Sequence, residues 1–177
     1  MKTKLLALIG AAVVIVVLSF NALVAAPVAS AIGQDDRNKG LTLVAYRAYA
    51  VSPSILTLDL WSVEEAAPVD LFRVLFQAAE ALKDKRFDRV NLARGGHTIF
   101  VLDGGAFQVL GQEHALGQNP IYMIRTLPEK LRTPSGSPAF ETWTGGWLGV
   151  LGEQMEDSNA FAQAWAEGKA PSGGPRY

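Results

Sequence analysis

Phe87-Asp88-Arg89-Val90-Asn91-Leu92-Ala93-Arg94-Gly95-Gly96-His97-Thr98-Ile99-Phe100-Val101-Leu102 is the stretch that decides the fold. Residues 87–93 and 97–102 alternate in polarity or run apolar, and Gly95-Gly96 between them is a two-residue hairpin turn. Tight pairing across that turn sets Leu92 opposite Ile99 and Val90 opposite Val101, with Asn91–Phe100 and Arg89–Leu102 on the other face. The second strand is apolar on both faces and is expected to lie more centrally than the first.

Upstream, Leu41 to Val51 is rich in strand formers, Ser52-Pro53-Ser54 breaks the run, and Ile55 to Val63 alternates Leu56, Leu58 and Leu60 with Thr57 and Asp59. These runs predict a first hairpin. Between the hairpins, Pro68 opens a helix whose Val69, Phe72, Leu75, Phe76, Ala79 and Leu82 form one stripe. Lys83, Lys85 and Arg86 follow, where cations complement the helix dipole. Ser62-x-x-Glu65 mimics a capping box, but it would place Pro68 inside the helix and is read as a decoy.

Downstream, Ala106 to His114 predicts a short helix closed by Gly117, and Ile121 to Ile124 a fifth strand after the Asn119-Pro120 turn. Thr126-Leu127-Pro128-Glu129 predicts a capped short helix ending near Arg132. Thr133 to Pro138 is loop. Leu148, Leu151, Met155, Ala162 and Trp165 recur at helical spacing, as one helix or a broken pair recapped at Asp157 or Ser158. The expected fold is therefore α+β: a mainly antiparallel sheet of four to five strands, two hairpins around a helix, followed by C-terminal helices. The expected organisation is 1–31 as a targeting segment, 32–40 as linker, 41–168 as a single domain and 169–177 as a flexible tail.

The amino terminus sets the address. Lys2 and Lys4 precede an apolar run from Leu5 to Phe20, and Pro27 with Ala29-Ser30-Ala31 resembles a signal peptidase site in an extended stretch. Cleavage after Ala31 would release a periplasmic or secreted chain. The alternative is an uncleaved anchor over residues 5–26, since about 20 apolar residues cross a bilayer. Both readings place the bulk of the chain outside the cytoplasm. With no twin arginine, the general secretory route is expected.

Composition narrows the chemistry. There is no cysteine, which removes disulfides, thiolate metal sites, cysteine nucleophiles and a lipidated cysteine. Beyond residue 31 stand 14 basic and 17 acidic residues, too balanced for nucleic-acid binding. No Asn-x-Ser/Thr acceptor occurs.

Candidate sites follow, each with its structural alternative. Either His97 or His114, with Asp103 or Glu113 as the orienting carboxylate, has the residue types of a general base and its partner. A hairpin-turn residue and a helix-end cation are the preferred explanations. Neither histidine has zinc-ligand spacing, so no metal is expected. Ser135-Gly136-Ser137 lies in a loop rather than a nucleophile elbow, and Gly145, Gly146, Gly149 and Gly152 lack the Lys-Ser/Thr of a phosphate loop. Phe140, Trp143 and Trp147 are the ligand- or partner-binding candidates, because flat aromatic faces are ordered at small entropic cost; packing under a loop is the structural alternative. Lys83, Lys85, Arg86, Arg89 and Arg94 form a basic cluster fit for anionic lipid or for plain solvation.

The leading expectation is an envelope protein with a non-enzymatic interaction or structural domain. The second is a small-ligand or glycan-binding module at Trp143/Trp147, and the third a hydrolase at His97 or His114. No cofactor is expected. The partners expected are an envelope protein or glycan, no nucleic acid, and the membrane if the N-terminal segment stays attached.

Overall fold

The computed structural model describes residues 2–144 and 146–170, apart from the side chains of Lys2, Thr3, Leu5, Trp147 and Leu148. The deciding hairpin is present as β3 (Arg89–Arg94) and β4 (His97–Asp103). Gly95 and Gly96 take φ of +56° and +85°, the paired left-handed values that the two-residue turn requires. The register differs from straight pairing. A bulge between Leu92 and Ala93 leaves Ile99 as the extra residue, so Leu92 faces Phe100, Val90 faces Leu102, Asn91 faces Val101 and Arg89 faces Asp103. A one-residue slip exchanges the faces of a strand. Here it turns Phe100 and Leu102 into the core in place of Val101, and burying the larger pair removes more apolar area from water.

The first hairpin is β1 (Leu41–Arg47) and β2 (Ile55–Val63), antiparallel as expected. β2 then pairs in parallel with β3, from Ile55–Arg89 to Leu60–Arg94. A parallel neighbour needs a crossover, and α2 (Pro68–Ala81) supplies it. Asp70 closes the start of α2 by accepting from the Ala67 amide at 2.8 Å. With β5 (Leu131–Arg132), the sheet order is β1-β2-β3-β4-β5. The middle strand is thus β3, not β4, because the parallel pairing places the first hairpin beside it.

Past β4 the structure departs from several expectations. The helix after it, α3 (Gly104–Ala115), starts two residues earlier than expected, with Asp103 as its cap. Residues 121–124 are not a strand: they belong to α4 (Pro120–Thr126), because the Asn119 side chain caps the Ile121 amide at 2.9 Å and Pro120 opens the first turn. Thr126 does not cap a further helix. Its hydroxyl donates to Tyr122 O at 2.9 Å, and Pro128–Lys130 is a single tight turn before β5. The C-terminal segment is one helix, α5 (Trp147–Glu167), unbroken at Asp157 and Ser158. Ser158 is satisfied inside it, its hydroxyl bonded to Gln154 O at 2.8 Å and Ile124 O at 3.0 Å. Residues 171–177 of the expected tail lie outside the described residues, as does Gly145.

The amino-terminal segment is α1 (Lys2–Gly33), 32 residues long with Pro27 inside it. The stretch from Pro27 to Ala31 is helical rather than extended: Pro27 removes one amide donor, and burial of the helix face on either side of it holds the helix together. Val24, Val28 and Ile32, four residues apart, enter the core, the first two with no exposed surface. α1 packs along β1 and α2. It is also a helix long and apolar enough to cross a membrane. The segment 34–40 is tied down, since Asn38 is buried and donates to Ile32 O at 2.9 Å and Gln77 Oε1 at 2.7 Å.

Each of α1 to α5 contributes to one core cluster on the sheet face that carries Leu56, Leu58, Leu60, Val90 and Leu92. Its centre is aromatic: Phe161 lies 5.2 Å from Phe72, 5.3 Å from Phe100 and 5.7 Å from Trp165 between ring centres. The indole of Trp165 donates to Ala93 O at 2.9 Å. The molecule thus has two ends. The β1–β2 loop, residues 82–88 and the β4–α3 junction share the end from which residues 2–20 of α1 project. Residues 34–40, the β2–α2 loop and the Gly95-Gly96 turn share the other.

Candidate functional site

Side chains alternate across a strand, so Thr57, Asp59 and Trp61 of β2 project to the sheet face opposite the helices. The registers bring Val44 and Tyr46 of β1, and Asn91 of β3 with its partner Val101, to the same outer face. Asp59 is its hub. Only 2% exposed, it accepts from Tyr46 Oη at 3.1 Å, Trp61 Nε1 at 3.0 Å and the Gly96 amide at 2.9 Å. A carboxylate is acceptor-only when ionised; here Oδ2 takes all three donors, and Oδ1 shares the Gly96 amide at 3.1 Å. Burial, the nearby Asp59 charge and the hydrogen bond to it push the Tyr46 phenol up to about 12, so it stays neutral and a donor at ordinary pH. Asn91 Oδ1 accepts from Arg89 Nε at 2.8 Å on the same face.

The effect of the hub is to hold Trp61. The indole is 61% exposed yet fixed through its nitrogen, so an aromatic face is presented to solvent with little entropy left to lose on contact. Trp61 was not among the sequence candidates. The available signal was an aromatic on the polar face of an alternating strand, two residues after an aspartate.

The sequence candidates do not assemble into one site. His97 is exposed at the turn, with Nδ1 3.2 Å from Gly95 O. Asp103 stands at the other end of β4 and caps α3 through the Gly105 amide at 2.9 Å and the Ala106 amide at 3.2 Å; six residues of strand span about 20 Å. His114 is 2.7 Å from Glu80 Oε2 and lies against the Phe76 ring; its carboxylate partner is Glu80 rather than Glu113. Phe140 stacks on Phe100 at 5.7 Å, at the edge of the core. Trp143 is half-buried and donates to Asp157 Oδ2 at 2.6 Å. Burial raises the Asp157 carboxyl, with Glu153, Glu156 and Glu141 adding to it and the Trp143 hydrogen bond opposing. Trp147 opens α5, and its side chain is outside the description.

A shallow groove of about 360 Å³ runs between the start of α2 and the end of α5, lined by Pro68, Leu71, Ala162 and Ala166 with Asn159 and Glu167 at its margin. It has neither a histidine nor a hydroxyl in its lining. No group of His, Asp and Glu able to hold a metal occurs among the described residues.

No known family model matches the chain, and neither the curated proteins nor the solved structures contain a significant match to it. The class is therefore defined by architecture: an α+β domain built onto the end of a long apolar helix, with an ordered aromatic-polar patch on the outer sheet face.

Proposed function

We propose that this chain is a single-pass protein of the cell envelope, its domain held outside the cytoplasm on an uncleaved anchor, and that the domain binds a protein partner through the outer sheet face rather than catalysing a reaction. One observation carries the anchor reading: Val24, Val28 and Ile32 are core residues of the same helix that would span the membrane. Cleavage after Ala31 would remove two of the three and expose the Leu43 side of the sheet. Lys2 and Lys4 favour the orientation with the domain translocated. The interaction reading is supported by Trp61, exposed and fixed, beside polar groups whose hydrogen bonds are already spent on one another.

The test has two readouts on the chain expressed in cells. The mass of the membrane-extracted protein is expected to include residues 1–31; a soluble chain beginning at Ile32 overturns the anchor. A photo-crosslinking amino acid in place of Trp61 is expected to give a discrete protein adduct that the same group in place of Val109, on the exposed side of α3, does not give. Absence of any adduct at position 61 overturns the interaction reading.

A further inference from the structure

We propose that the end of the domain from which α1 projects rests directly on an anionic bilayer surface, with Tyr49 and Val51 dipping into the interface and Lys83, Lys85 and Arg86 facing lipid phosphates. The proposal rests on the anchor reading above, and it follows from a length. The apolar stretch from Leu5 to Phe20 rises about 24 Å at 1.5 Å per residue, less than the roughly 30 Å hydrocarbon core of a bilayer. Leu6, Leu8, Val13, Ile15, Val16 and Leu18 are all more than half exposed along it. The next residue, Asn21, is already fastened to the domain: its carboxamide donates to Ala50 O at 2.7 Å and accepts from the Arg47 amide at 2.8 Å. There is no spacer. A free apolar stretch this short, on a helix whose remainder is packed against the domain, draws the bilayer surface up to the loop that Asn21 holds.

That loop has the side chains for the position. Tyr49 is 88% exposed and Val51 is also exposed, an aromatic and an aliphatic residue at the depth where membrane proteins carry aromatic belts. Tyr49 and Ala50 take positive φ of 55° and 63°, a strained pair for non-glycine residues. The strain is held by Asn21, by the Ser52 amide on Ala48 O at 3.0 Å, and by Arg47, whose guanidinium donates to Pro53 O. The Arg47 guanidinium also lies 4.1 Å from the centre of the Phe20 ring, clamping the helix at this level. The cations at this end are matched in number by carboxylates, so what they offer a headgroup is position rather than net charge. At the same end, Lys83, Lys85 and Arg86 stand beside three carboxylates: Asp84 pairs with Lys83 at 3.2 Å, Asp103 is spent on the α3 cap, and Asp88 is exposed. Juxtamembrane cations are attracted to anionic headgroups.

The chain has no cysteine, so single labels can be placed on the full-length protein. Nitroxide is attached to Val13→Cys, Val51→Cys or the distal Lys39→Cys variant in nanodiscs of equimolar phosphatidylglycerol and phosphatidylcholine, and accessibility to oxygen and to a water-soluble nickel chelate is read. The oxygen-to-nickel ratio at position 51 is expected to be about threefold above that at position 39, and to fall by about half in Lys85→Glu/Arg86→Glu. A ratio at 51 equal to that at 39, with position 13 lipid-embedded, overturns the docking and leaves the anchor standing. Position 13 in water overturns both. Shielding of position 51 from both reagents, as by a second copy, also overturns the docking, and a ratio unmoved by charge reversal overturns the headgroup assignment.

Discussion

At the scale of single residues, the outer face turns on Asp59. Replacing it with alanine leaves Tyr46 Oη, Trp61 Nε1 and the Gly96 amide without their acceptor, and unsatisfied buried donors cost about 1–3 kcal/mol each. Some of these donors reach water by relaxing, so Asp59→Ala is expected to lose about 2–4 kcal/mol in denaturant unfolding. The milder Asp59→Asn keeps an acceptor but removes the charge. Its Tyr46 phenol is expected to titrate below the wild-type value of about 12 while still held up by burial, read by tyrosinate absorbance. The sign of the linked stability follows from the same shift. A phenol raised above its unfolded value of about 10 contributes stability that is fully present below pH 10 and lost as pH rises towards 12. Wild type should therefore lose stability across that window, and Asp59→Asn should lose less. Equal slopes in the two proteins would leave burial as the whole cause of the shift.

At the scale of elements, the local signals in the sequence were readable and the non-local ones were not. Gly95-Gly96 and Pro68 act over a few residues, and both marked real elements. The bulge at Leu92 was hidden because it is decided by which of Phe100 and Val101 reaches a core built from α2 and α5. Residues 121–124 looked like a strand because Ile121, Tyr122 and Ile124 are strand formers, yet one capping oxygen on Asn119 outweighed their propensity. The outer-face site was partly legible. The alternation along β2 placed Thr57 and Asp59 on one face, but two of the donors to Asp59, Tyr46 Oη and the Gly96 amide, come from β1 and the far hairpin, which only the sheet order joins. The contact of α2 with α3 gives an element-scale prediction. A Cβ at Gly111 would meet the Ala79 carbonyl far inside van der Waals contact. Backbone cannot yield there as a flexible side chain can, so Gly111→Ala must wedge the helices apart. About 1–3 kcal/mol of lost stability is expected, whereas Gly149→Ala in α5, whose Cβ meets nothing within 4 Å, is expected to be neutral or slightly stabilising. Chemical denaturation of the two variants side by side checks the contrast.

At the scale of the whole molecule, the apolar helix and the folded domain share one core, so the boundary between targeting segment and domain is not a boundary in packing. A chain beginning at Ile32 keeps β1, β2 and α2 but loses Val24 and Val28 from against them, together with the hydrogen bonds of Asn21 to the β1–β2 loop. Burying a valine is worth about 1.5 kcal/mol or more, and each loop hydrogen bond about 1 kcal/mol. The loss sums to about 4 kcal/mol after allowing for compaction of the unfolded chain. For a domain of this size that corresponds to a Tm lower by about 10 °C. A chain beginning at Phe20 retains all of these contacts and is the proper reference, because it lacks the same exposed apolar stretch that would aggregate in solution. Calorimetry of the pair distinguishes two ideas of what the segment is for. If residues 20–31 only deliver the domain, the two chains melt together. If they are part of its architecture, as the burial of Val24 and Val28 requires, the shorter chain melts lower, and its strained loop at Tyr49 and Ala50, released by the loss of Asn21, exchanges its amide hydrogens first.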